Sequence, residues 1–137
     1  MIHIEHGQPI EIRKYREQDF VSINKLNAEE QWTNLVTEKD KTKQAWNNSN
    51  IAFVVLSKEE VIGYIRGFTD KHVTLYICEL LIDKRYRGLG IGQYLLKFVH
   101  GLYPSTRIEM LASSESQSFY NQIGYRPFYG FRKTFGE

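Results

Sequence analysis

From residue 75 to residue 100 the chain runs from a strongly apolar strand, Leu75 to Ile82, through Arg85-Tyr86-Arg87-Gly88-Leu89-Gly90-Ile91-Gly92 into an amphipathic helix from about Ile91 to His100. This glycine turn constrains the fold more than any other stretch. Glycines at alternate positions remove every Cβ from one side of the turn, so a ligand can approach the main chain and the backbone can take positive φ. The helix that follows presents its unpaired N–H groups and positive dipole end to the turn. Together these features predict an anion site, most naturally for phosphate.

A P-loop requires Gly-Lys-Ser/Thr after its glycines, and no glycine in this stretch precedes a lysine, so that class is excluded. A dinucleotide fingerprint, G-x-G-x-x-G, begins at Gly88 and Gly90 but meets Gln93 where the third small residue packs helix on sheet. Glu109, about 20 residues on, can imitate the ribose-binding acid, which keeps this alternative open. Against it, such a fingerprint opens a β-α-β unit on the first strand, whereas this turn follows several strands.

The pattern R-x-x-G-x-G, read as Arg87, Gly90 and Gly92, fits without strain and resembles motif A of the GNAT superfamily of N-acetyltransferases. Glu79-Leu80-Leu81-Ile82-Asp83 resembles the family's strand four, and Ser116-Gln117-Ser118-Phe119-Tyr120-Asn121-Gln122-Ile123-Gly124-Tyr125 resembles its second hallmark, x-x-x-F-Y-x-x-x-G-F/Y. The resemblance covers essentially the whole chain and is sharpest over residues 61–128. It implies one N-acetyltransferase domain, 1–137, of α/β (α+β) class: a mixed, mostly antiparallel sheet flanked by helices, with strands four and five parallel and splayed into a V. In the family that V takes the pantetheine arm of acetyl-CoA, and the loop of motif A holds its pyrophosphate.

Carried over residue by residue, the resemblance assigns the pyrophosphate to Arg87, Gly88, Leu89, Gly90, Ile91 and Gly92. The pantetheine amides would pair with backbone groups of Leu80, Leu81 and Ile82, as an added strand does. Phe119 and Tyr120 would lie beside the coenzyme. The family usually has Asn six residues before the hallmark Phe, where this chain has Ser113; serine reaches less far, so only a weak coenzyme contact is assigned to it.

The remaining chain suits such a domain. Its 137 residues are enough for a single closed core. With 18 basic and 16 acidic side chains the net charge is +2, so no global field draws it to nucleic acid or an anionic membrane. The local cluster Lys84, Arg85 and Arg87 adjoins the glycines and reads as phosphate steering; its plain alternative is a solvated strand end. Cys78 is the only cysteine, so no intrachain disulfide forms and the cytoplasm is the natural compartment. The N-terminal residues lack the apolar core of a signal peptide, no apolar run approaches a membrane span, and four scattered histidines with one cysteine make no metal spacing.

Ile10 to Tyr15 alternates as a half-buried first strand, and Phe20, Ile23 and Leu26 recur at helical spacing. Glu38 to Asn47 reads as a polar surface helix. Ile51 to Leu56 and Val61 to Phe68 form a hairpin around Ser57-Lys58-Glu59-Glu60, and a second turn leads into Val73 to Ile82, completing an antiparallel meander. The helix after the glycines is expected to bury Ile91, Leu95, Phe98 and Leu102 and to end at Gly101 and Pro104. Arg107 to Leu111, reached through a crossover helix, is then a parallel strand. Ser113 to Ile123 reads as a helix capped by Ser113, and the aromatic tail, Arg126 to Phe135, as a segment that closes the sheet or forms a homodimer interface.

Acetyl transfer to a primary amine needs a proton acceptor, because an amine of pKa ~10.4 is neutral in only about one molecule in 2,500 at pH 7. Glu79 is an acid in an otherwise apolar strand, where partial burial raises a carboxyl pKa towards working pH. Alternation puts it on the face of Ile77 and Leu81 unless a bulge intervenes. Its plain alternative is a carboxylate paired with a cation. Tyr120 aligns with the tyrosine that the family places beside the thioester sulfur, where its hydroxyl can protonate the leaving thiolate; otherwise it is an amphipathic helix residue. Trp32, Leu35, Tyr64 and Arg66 can line an acceptor pocket, for which a small-molecule amine is the expected occupant. Two other classes remain open: an acyl-CoA-binding sensor without catalysis, and a nucleic-acid module using the scattered Arg and Lys residues.

Overall fold

The computed structural model describes residues 2–5 and 8–137, with side chains from residue 9 onward. Its strands form one six-stranded sheet in chain order: β1 (Ile2–Glu5), β2 (Gln8–Lys14), β3 (Ile51–Ser57), β4 (Glu60–Thr69), β5 (Thr74–Ile82) and β6 (Arg107–Met110). All neighbours are antiparallel except β5 and β6, which the crossover helix α4 (Ile91–Leu102) makes parallel. The expected meander is therefore β3–β4–β5. The strand expected first is the second, because the short strand β1 pairs antiparallel with it ahead in the chain. The family's strands four and five are β5 and β6 here.

Helices α1 (Phe20–Glu29), α2 (Thr33–Thr37) and α3 (Lys39–Asn47) lie between β2 and β3. Phe20, Ile23, Leu26 and Trp46 from this group pack on Val54, Leu56, Tyr64 and Leu81, one face of the sheet. The start of α1 is tied to β2 by Arg13, which donates two hydrogen bonds to buried Asp19 at 2.8 and 2.9 Å. Burial pushes the Asp19 carboxyl up, but these bonds and one from the Arg16 N–H outweigh it and hold it below the usual carboxylate range.

The other face carries Ile10, Ile12, Phe53, Val55, Ile65, Leu75 and Ile77 beneath α4. Here the buried stripe is Ile91, Leu95, Leu96 and Val99, not the expected Ile91, Leu95, Phe98 and Leu102. The helix continues through Gly101, and its last turn carries Leu102 into solvent, 45% exposed. Phe98 packs edge-on against Phe53 at 5.3 Å. Helix α5 (Gln117–Gln122) is shorter than expected: Ser113 and Ser116 form a turn of mutual hydrogen bonds ahead of it, and Ser116, not Ser113, stands at the N-cap. The tail does not close the sheet, since residues 125–134 hold no strand or helix.

One irregularity in β5 positions the site. Arg66 pairs with Glu79 and Gly67 with Ile77, so Cys78 is an extra residue, a β-bulge. The bulge resets the alternation of side chains. Ile77 faces α4, yet Leu80 and Ile82 also pack on that side, while Leu81 joins the α1 side. Glu79, two residues from Leu81, shares that face. The expectation that Glu79 shares a face with both Ile77 and Leu81 fails for Ile77, and the bulge is the reason.

Gly67 makes room for this. A Cβ there would lie 2.1 Å from the Tyr76 carbonyl oxygen, a backbone atom that cannot swing away. Gly67→Ala is therefore expected to cost about 3 kcal/mol through overpacking, measured by urea denaturation; an unchanged midpoint would show that β5 moves freely at the bulge.

Candidate active site

The main chain at the end of β5 turns under local control. The Asp83 side chain accepts a hydrogen bond from the Arg85 N–H at 2.9 Å and opens a 3-10 turn, Lys84–Tyr86. Gly88 (φ 78°) and Gly90 (φ 82°) are left-handed, and Gly90 is the N-cap of α4. Gly92 serves a different need. It lies in the first turn of α4, where a Cβ would meet Phe119 Cζ at 3.4 Å and Leu80 Cδ2 at 3.9 Å. Two glycines thus bend the chain and the third admits α5. Ile91 and Leu89 turn their side chains towards the core, so they can serve a ligand only through the backbone.

Of the basic cluster, Lys84 is exposed without an ion pair among the described residues, while Arg85 is paired with Asp83 at 2.9 Å and Glu60 at 3.3 Å. Arg87 is engaged at both ends of its guanidinium: Nε donates to the Ile82 carbonyl at 2.8 Å and Nη2 to Glu30 Oε1 at 2.5 Å. No local signal marks Glu30, the residue after α1, which reaches across a cleft of about 340 Å³ lined by Leu26, Glu30, Leu81, Ile82, Lys84 and Arg87.

Next to this turn β5 has an open edge. Its pairing with β6 covers Thr74 to Ile77 against Arg107 to Met110 and stops there. Beyond the bulge at Cys78, residues 79–82 pair with β4 on one side and with no strand on the other among the described residues. Leu80, Ile82, Phe119 and Tyr120 pack around the same core beside α4. The Tyr120 ring stands 5.0 Å from Phe119 and 5.6 Å from Tyr125, and its hydroxyl has no hydrogen-bond partner among the described residues. Burial pushes the Tyr120 hydroxyl above its ordinary range. Tyr125 rises to about 12 through burial and, secondarily, the neighbouring Tyr120. Both remain protonated donors across neutral pH.

On the α1 side of the bulge Glu79 forms a two-pronged pair with Arg66, Nε to Oε1 at 2.7 Å and Nη2 to Oε2 at 2.8 Å. Arg66 Nη1 also donates to Ser49 Oγ at 3.1 Å. Burial works against the guanidinium charge, but the bonds to Glu79 outweigh it and the Arg66 pKa is raised. Tyr64 is 0% exposed and donates to Asn27 Oδ1 at 2.5 Å, which makes it a core residue with no surface for a ligand. Trp32 and Leu35 are partly buried near α2. The Cys78 thiol is partly buried and pushed up in pKa by that burial, as an inert thiol should be. The Ser113 hydroxyl bonds only Ser116 among the described residues, and its carbonyl also accepts from the Gln117 N–H at 3.1 Å. The described residues contain no cluster of three or more metal-ligating side chains and no helix long and apolar enough to cross a membrane.

An open strand edge, a left-handed glycine turn and a helix start are thus collected at one end of two parallel strands. The acetyltransferase (GNAT) domain model matches residues 11–133, nearly the whole chain, and the protein belongs to that family of acetyltransferases. It is similar over 100% of both chains to a GNAT family acetyltransferase from Streptococcus pneumoniae, with 20% identity and a TM-score of 0.77. A GNAT-family protein from Xanthomonas campestris pv. campestris covers 96% of each chain at 15% identity and TM-score 0.73. An aminoglycoside acetyltransferase from an uncultured soil metagenomic sample, solved with trehalose, covers 91% of this chain and 95% of its own at 18% identity and TM-score 0.69. No curated protein matches the sequence.

Members of the family use acyl-CoA, and the glycine turn gives a direct test of where it sits. Gly90→Val forces a branched side chain into the left-handed region, with a stability loss of about 1–2 kcal/mol, and is expected to abolish coenzyme A binding in calorimetry of the folded variant. Unchanged affinity would put the coenzyme elsewhere.

Proposed function

We propose that this protein transfers the acetyl group of acetyl-CoA to an amine, most simply a small primary amine, by direct attack in a ternary complex. The observation that carries the proposal is the open edge of β5 over residues 78–82, leading straight into the left-handed glycines at the start of α4. Such an edge suits the amides of the pantetheine arm, paired at Leu80, Leu81 and Ile82. The N–H groups of Gly88 to Gly92 suit the pyrophosphate, with Arg87 turning from Glu30 to a phosphate oxygen. When bound, acetyl-CoA supplies an activated thioester.

Glu79 takes the proton lost by the amine. Because Arg66 holds both of its oxygens, the proton reaches it through a water molecule on the outer lone pairs. Tyr120, protonated and free to donate, gives a hydrogen bond or proton to the departing thiolate. The backbone N–H near Leu81 polarises the thioester oxygen. Arg66, Trp32 and Leu35 border the acceptor side.

The deciding experiment measures thiol release from acetyl-CoA across a panel of amines, with thermal stabilisation by acetyl-CoA recorded on the same samples. Release with one amine class is expected; neither release nor stabilisation would overturn the proposal. The closed Arg66–Glu79 pair favours one second reading, a non-catalytic acyl-CoA sensor, whose mark is stabilisation without release. Tyr120→Phe is expected to lower kcat roughly 100-fold, the lower range for acid–base groups, with coenzyme affinity unchanged; full turnover would remove Tyr120 from the mechanism. Glu79→Gln should lower kcat by a similar factor. Unchanged turnover would leave Glu79 as the structural partner of Arg66.

A further inference from the structure

Helix α1 ends against the electrostatics of a helix. Its last residue and the next are Glu29 and Glu30, and no basic residue stands in the last turn. The carbonyl end of a helix carries partial negative charge, so a carboxylate there costs stability where a cation would add it. A local rule broken in this way points to a compensating partner elsewhere. Glu30 has one in Arg87 Nη2, which reaches it from the glycine turn. Glu29 is exposed and has no ion pair among the described residues.

Arg87 holds one oxygen of Glu30, whereas Arg66 holds both oxygens of Glu79. Glu30 borders the cleft that Leu26, Leu81 and Ile82 also line. Leu81 lies two residues past Glu79 on the same face of β5, about 7 Å along the strand, so the cleft adjoins the acid assigned to the proton. Burial pushes the Tyr64 hydroxyl well above its ordinary range, and the charges of Glu79 and then Glu30 add to that push. Both carboxylates therefore lie on the Tyr64 side of the sheet.

The proposed pyrophosphate takes Arg87. Of the other cations lining the cleft, Arg85 is already paired with Asp83 and Glu60, and Lys84 stands exposed beside the same turn, open to a phosphate as well. Glu30, its side chain only 23% exposed, is then left without a cation. We infer that Glu30 thereupon binds the ammonium of the acceptor, so that the coenzyme itself uncovers the acceptor's anchor. This inference rests on the proposed function and adds to it a residue that selects a cationic amine. Glu79 cannot serve as that anchor while Arg66 engages both of its oxygens. The bond from Arg87 to Glu30 is one the phosphate must displace, and the bond from the ammonium forms only after that displacement. Coenzyme and amine therefore bind cooperatively, each raising the affinity of the other by the same factor.

The test uses Glu30→Gln, which keeps the shape of the side chain, with circular dichroism to confirm the fold. Calorimetry is run with coenzyme A alone, with the amine that releases most thiol, and with that amine over protein saturated with coenzyme A, which has no acetyl group to transfer. Coenzyme A is expected to bind the variant up to about fivefold more tightly, the worth of a part-exposed ion pair that no longer has to break. The acceptor KM should rise roughly tenfold or more, as for loss of a hydrogen-bonded charge. In the wild type coenzyme A should raise the affinity for the amine, and in the variant that gain should vanish. A merely structural Glu30 would weaken both ligands or neither. Glu29→Gln removes the same charge one residue earlier and should change neither, which separates a bond from a general field. A variant that binds coenzyme A no more tightly, or that keeps the wild-type KM and cooperativity, would overturn the inference while a wild type that still releases thiol keeps the transferase reading intact. A wild type that neither binds coenzyme A nor releases thiol would overturn both.

Discussion

Two events coincide in β5: its ladder to β6 ends at Ile77, and the next residue, Cys78, is the bulge against β4. The rest of the site depends on that coincidence. A bulge strengthens the local twist and redirects the strand, which carries the last five residues away from the line of β6. Their backbone groups on that side then have no strand to satisfy them. Main-chain donors and acceptors cannot remain unpaired at low cost away from water, so the gap suits water or an amide-bearing ligand. The same bulge moves Glu79 out of step with Ile77 and opposite Arg66. One extra residue therefore opens the edge and places the acid.

The two faces of the sheet divide the labour. On the α4 side the chemistry is steric: Gly92 leaves a space that Phe119 and Leu80 fill, and Tyr120 follows Phe119 in the same helix. The α1 side works through charge and hydrogen bonding: Arg66–Glu79 ties neighbouring strands β4 and β5, while Tyr64–Asn27 and Arg87–Glu30 join elements distant in sequence. The last two link α1, or the residue that follows it, to β4 and the glycine turn. A shift of α1 is thereby felt where the glycines lie.

Much of this was legible in the sequence because it rests on local signals. Apolar runs rich in β-branched and aromatic residues marked the meander, the hairpin at Lys58 and Glu59 formed where polar residues separated two such runs, and the glycine spacing located the turn. Register was not legible. No residue type announces that Cys78 is surplus, since a bulge is a property of two strands and needs the Arg66 and Gly67 partners to be seen. The α4 stripe was misjudged at Leu102 because periodicity tells which residues share a side but not where the sheet beneath them ends. For Ser113 the fault was treating a favourable residue type as a cap, when a serine pair forms its own turn first. Glu30 was invisible for a related reason: its partner is 57 residues away, and nothing local distinguishes it from Glu29.

The Glu30–Arg87 contact also bears on which anions would suit the turn if the proposed coenzyme site is correct. An arginine already neutralised by a carboxylate offers a passing chloride no gain, because one single negative charge would merely replace another. A guest with two or more charges close together does gain, since it can satisfy both the guanidinium and the helix start while Glu30 returns to water. At the proposed coenzyme site Glu30 would thus serve as a built-in counter-ion, setting a threshold that a polyphosphate would cross and a simple salt would not.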